Sequence, residues 1–156
     1  VSWNPTSPLP GATQTGFTSP TYTLSEDVAP DVNMIQHAVT ALGGTQPAEV
    51  DVNSVARPFT ITIVRPKTFR LLGQPNPVTG VVSNVQMNRW KVITRKGVTP
   101  LSGQSSKTML ITTIIEVPAG SDSGDPDNLR AALSAHIGAL DDQSANLGDS
   151  LESGVI

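Results

Sequence analysis

Six strand-like runs follow one another in this chain, and nothing with helical spacing separates any two of them. They cover residues 21–26, 34–42, 49–55, 59–65, 88–98 and 107–117, each rich in Val, Ile or Thr. Parallel neighbours need a crossover, usually a helix, so strands met in this order predict an antiparallel sheet. Turn chemistry punctuates them: Pro30 to Asn33, Gly43-Gly44, and a long loop over residues 73–80 with Pro75, Asn76 and Pro77. The clearest run places Phe59, Ile61 and Ile63 on one face and Thr60, Thr62 and Val64 on the other.

After residue 118 the period changes. Asp125, Pro126 and Asp127 read as N-cap, proline at the first helical position and an acid in the first turn. Leu129, Ala132, Leu133, His136, Ile137 and Leu140 follow as one apolar helical stripe. Ser144 caps a second, short helix carrying Leu147 and Leu151 and ending near Gly154. The predicted class is α+β: an antiparallel sheet over residues 21–118, an N-terminal hairpin plus a main sheet, then two helices over about 126–153. The apolar Val155-Ile156 predicts a docked end. Residues 1–20 hold Pro5, Pro8, Pro10 and Pro20 with no hydrophobic period. They read as an extended arm, either a loose tail or a segment laid across a neighbour, and dispensable for folding.

At 156 residues this is one domain, yet only 37% of it is hydrophobic and 4% aromatic. Either the core is small or another chain completes it. The absence of cysteine removes disulfides and thiolate chemistry. No apolar run reaches the length of a membrane span, and the first residues lack a signal-peptide layout, so a soluble chain is expected.

Charge is segregated along the chain. No acid occurs between Val52 and Ile115, whereas nine of the ten basic residues do: Arg57, Arg65, Lys67, Arg70, Arg89, Lys91, Arg95, Lys96 and Lys107. A block of one sign draws polyanions whatever the net charge of −3 implies for the whole. Against it stands the plain reading of a solvated basic surface.

Enzymatic chemistry finds little support. Two histidines, His37 and His136, read as structural, and no metalloprotease helix, nucleophile elbow or Walker phosphate loop occurs. Asp122, Asp125 and Asp127 would suit a hard cation, but helix capping accounts for the last two, and no metal or cofactor is expected. Trp90 either stacks on a base or, on alternation, packs into a core beneath the helices.

Strands first, two helices last and a basic central strand resemble the coat proteins of single-stranded RNA bacteriophages, the levivirus type. Asn88-Arg89-Trp90-Lys91-Val92-Ile93 resembles that family's central basic strand. Ile114 to Gly120, leading through a polar loop into Asn128 to Leu133, is similar to its last strand and long helix. Ser153-Gly154-Val155-Ile156 is similar to its terminus. The resemblance covers about residues 20–156; the proline-rich arm and the loop from Leu72 to Met87 depart from it. It implies no catalysis and no membrane, but a homodimer joined edge to edge, helices laid over the partner's sheet, and an icosahedral shell packaging single-stranded RNA. Leu129, Leu133, Ile137 and Leu140 would then line the dimer interface, and the protein would reside in the virion after assembly in the bacterial cytoplasm.

Alternation sorts the strands further. Thr60, Thr62, Thr108 and Thr112 share a face with Arg89, Lys91 and Arg95, and Glu116 lies at its margin. Cations hold phosphates, and hydroxyls bond base edges or the 2′-OH, so these seven residues form the candidate RNA site. The resemblance places a packaging or operator hairpin on the same face. Two competitors remain: a sheet protein that binds RNA without assembling, and an enzyme of unknown type.

Overall fold

A computed structural model describes residues 2–156. Six strands lie in chain order in one antiparallel sheet: β1 Leu9–Pro10, β2 Thr18–Asp27, β3 Met34–Thr45, β4 Phe59–Val64, β5 Met87–Val98 and β6 Lys107–Pro118. A helical turn, α1 Ser121–Gly124, then leads into α2 Pro126–Asp142 and α3 Ser144–Ser153. The α+β class and the order of elements match the sequence reading. Asp125 and Pro126 stand where capping chemistry put them, though the Asp125 carboxylate accepts from the Asn128 side chain rather than from a backbone N–H. Gly154 closes α3 with φ of 75°, a left-handed conformation that glycine adopts without strain.

Two expected elements differ. Residues 49–55 form no strand. Asn53 donates its N–H to the Val39 carbonyl at 2.8 Å, its side-chain oxygen takes the Phe59 N–H at 2.8 Å, and Arg57 pairs with Asp51. These local bonds satisfy the segment without a ladder, despite its alternating valines. The same loop presses on β5: a Cβ at Gly97 would meet the Cα of Arg57 at 2.6 Å. Residues 121–124, read as loop, make the turn of α1.

The arm is bound to its own chain. Leu9 and Pro10 pair with Tyr22 and Thr21, and the Ser7 hydroxyl bonds both the N–H and the carbonyl of Leu24. Farther on, Gln14 Nε2 donates to the Ser144 carbonyl at 2.7 Å, Ser144 Oγ donates to the Thr13 carbonyl, and Thr15 bonds Asp149. Part of one edge of the sheet is thereby covered, and α3 is tied to residues 13–15.

Few apolar side chains among the described residues are buried: Leu24, Ala38, Val39 and Ala119, together with Pro20. No residue of α2 is buried. Leu129 and Leu133 border a groove against Thr113, Ile115 and Val117, while Ile137 is 57% exposed, and Ile111 on β6 is 53% exposed. Within the single chain α2 borders β6 rather than β4 and β5, so Trp90 and the face of Phe59, Ile61 and Ile63 are met by other groups. Phe59 is met by the Tyr22 ring and the Lys96 ammonium, and Trp90 by Phe69 of the β4–β5 loop at 5.7 Å between centroids.

Candidate nucleic-acid interface

Directly paired residues in an antiparallel sheet share a face, so the register decides who faces whom. Thr60 lies opposite Arg95, Thr62 opposite Ile93, and Val64 opposite Lys91. Across the next seam Arg89 faces Glu116, Ile93 faces Thr112, and Gly97 faces Thr108. All seven candidates therefore lie on one face. Leu110 and Ile114 join them at the β6 edge. Lys96 pairs with Phe59 and Met109 on the other face.

The threonines do not behave alike. Thr62 is 0% exposed and Thr60 5%, whereas Thr108 and Thr112 are open to solvent. Thr62 Oγ1 donates to Gln36 Oε1 at 2.9 Å and accepts from Arg95 Nη1 at 3.2 Å. Gln36 in turn donates to Asp27 Oδ2 at 2.8 Å. A polar chain thus crosses four strands, from the Asp27 carboxylate on β2 to the Arg95 guanidinium on β5. Thr60 Oγ1 is buried with no hydrogen-bond partner among the described residues. The free hydroxyls expected at 60 and 62 are instead an orphan at 60 and an internal relay at 62. Gln36 and Asp27 escaped the sequence reading because strand alternation ranks faces but cannot say which neighbours touch. The cross-strand register carries that signal.

The cations divide as well. Arg89 bonds Glu116 through Nε at 2.8 Å, so the acid placed at the margin neutralises one member of the row. Arg57 pairs with Asp51, and Lys67 with Asp31. Among the described residues Lys91 and Arg95 make no ion pair. Lys96 sits 4.5 Å above the Phe59 ring and donates to the Asp51 carbonyl at 2.7 Å. Burial lowers its pKa below the ordinary lysine value, with Asp51 opposing and Arg57 adding to that shift. It is a packing lysine.

His37 is buried on the opposite face, and among the described residues its Nδ1 has no partner, while His136 is exposed at the rim of the α2 groove. No cluster of three His, Cys, Asp or Glu side chains suited to a metal occurs among the described residues, and no helix there is long and apolar enough to cross a membrane.

No protein-family model and no curated protein matches the chain. Among solved structures it is similar to the virus-like particle of bacteriophage ESE020, at 51% sequence identity and a TM-score of 0.96. The match covers 99% of this chain and 100% of that one.

Proposed function

The chain belongs to the bacteriophage coat-protein family of the ESE020 particle, and we propose that it is a shell subunit of the levivirus type. It dimerises, closes into an icosahedral capsid and packages single-stranded RNA, with no catalytic role. The observation that carries this reading is likeness over the whole chain to a particle-forming protein. The virion is then its destination, and the host cytoplasm its place of assembly.

The open edge supports the dimer. β6 pairs only with β5, so one side of its 12-residue backbone is unpaired, and such an edge is a template for another strand. Edge-to-edge pairing of two β6 strands about a two-fold axis gives one continuous sheet and lets each α2 lie over the partner. Leu129, Leu133, Ile137 and Leu140 lose their exposure in that arrangement, which completes the sparse core of the single chain.

RNA is the partner that fits the cationic face. Among the described residues Lys91 and Arg95 are free of ion pairs, Arg89 is held by an exposed one, and Thr108 and Thr112 offer open hydroxyls. Thr62 contributes by holding Arg95 through its hydroxyl, and Thr60, buried opposite Arg95, packs beneath the cations. Electron microscopy of the purified protein should show closed shells, and their 260/280 nm absorbance ratio should report nucleic acid that sequencing identifies as RNA. Discrete dimers that bind RNA without particles would favour the non-assembling alternative.

A further inference from the structure

β4 ends at Val64 opposite Lys91, so the first residues of β5, Met87 to Trp90, have no β4 partner. The β4–β5 loop takes that place. Pro66, Thr68 and Arg70 border a recess of about 590 Å³ with Met87, Asn88, Arg89 and Glu116. Asn88, only 9% exposed, locks the loop there with its side chain. Its oxygen takes the Arg70 N–H at 2.8 Å, and its amide donates to the Arg70 carbonyl at 2.9 Å. A side chain thus makes both bonds that a neighbouring strand would make, and the Arg70 backbone is fixed one residue from Arg89.

The consequence is a recess with two exposed guanidiniums and one carboxylate, at the end of the row that Arg95, Lys91 and Arg89 form along β5. Guanidinium forks match phosphate oxygens in pairs, which a lone lysine cannot do. The Arg89–Glu116 pair is exposed, at 59% and 46% of the two side chains, so it costs little to exchange. We propose that Arg70 and Arg89 form a phosphodiester site that extends the RNA path off the sheet onto the β4–β5 loop, with Glu116 the internal counter-ion that the phosphate displaces. Asn88 is the positioning residue. The site rests on the reading of the cationic face as the RNA side.

The test measures binding of a labelled mixed-sequence single-stranded RNA to the full-length protein as a function of salt. Arg70→Ala should reduce the slope of log affinity against log salt by about 0.7, one single-strand phosphate contact. Arg70→Lys should restore the slope but bind more weakly than the native chain. Asn88→Ala, with no change of charge, should weaken binding in the native background and add nothing to Arg70→Ala. Lys67→Ala, on the same loop but paired with Asp31, should leave the slope unchanged. Circular dichroism establishes that each variant folds. If Arg70→Ala keeps the native slope while Lys91→Ser with Arg95→Ser reduces it, this site is wrong and the sheet face stands. If neither alters the slope, the RNA face itself falls, and the extension with it.

Discussion

Arg95 on β5 donates from Nη1 to the Thr62 hydroxyl on β4 at 3.2 Å, although their pairing is diagonal rather than direct. Thr62 donates its own hydrogen bond to Gln36 Oε1, so one buried hydroxyl orients a guanidinium and satisfies an amide together. Thr62→Val keeps the shape and removes both bonds. A lost buried partner costs about 1–3 kcal/mol, and denaturant unfolding should show a loss in that range. Unchanged stability with weakened RNA binding would instead make Thr62 a direct contact.

Opposite faces should give opposite phenotypes. Lys91→Ser with Arg95→Ser removes two free cations four residues apart, about 13 Å along the strand at roughly 3.3 Å per residue. Particles should form with a lower 260/280 nm ratio. Lys96→Ser should instead keep RNA content and lower the unfolding midpoint, because it loses the Phe59 contact and the bond to Asp51. Equal losses of RNA from the two variants would contradict the face assignment.

Sheet, helices and facial segregation were legible in the sequence because each has a period: two for strands, 3.6 for α2. Glu49 to Val55 has the strand period too, yet Asn53 and Arg57 supply local bonds that compete with a ladder, which alternation cannot register. Gln36, Asp27 and Asn88 were invisible for a related reason. Their roles arise from partners 9 to 26 residues away, fixed by register for Gln36 and Asp27 and by the path of the β4–β5 loop for Asn88. The exposure of the α2 stripe was legible only indirectly, through a hydrophobic fraction too low for a closed core.

The arm should be less dispensable than its composition implied. Deleting residues 1–17 removes β1, the Ser7 bonds to Leu24 and the three bonds from residues 13–15 to α3. The sheet from β2 to β6 should persist by circular dichroism. Thermal stability should fall by about 2–4 °C for each kcal/mol lost, with roughly 1 kcal/mol per neutral hydrogen bond. Ser144→Ala, which breaks only the bond to Thr13, should show the smallest part of that shift.

Acid should release the β2–β3 turn. The Lys67 hydrogen bond to Asp31, helped by the Val32 N–H, holds that carboxyl below its ordinary value of 3.8. A depressed carboxylate contributes stability that is present above its unfolded value and is lost as pH falls through the folded one. The melting difference between the native chain and Lys67→Ala should therefore be largest above about pH 4 and shrink below it. A difference independent of pH would mean that Lys67 acts through packing.

Ile137 gives the cleanest test of the dimer. It is 57% exposed on an α2 with no buried residue, so the single chain gains little from it. A charge placed there is solvated in an isolated subunit. Between two subunits whose helices cover each other's sheets, the same charge is buried without a partner, at about 3–5 kcal/mol per site and twice in each symmetric dimer. Ile137→Asp should therefore keep its sheet and helix signal in circular dichroism but sediment as a monomer and yield no particles. Leu133→Asp, half-covered already by its own strand β6, should lose particles and some fold stability as well. Intact particles from Ile137→Asp would show that α2 faces solvent in the assembled shell, and the interlocked arrangement would have to be abandoned.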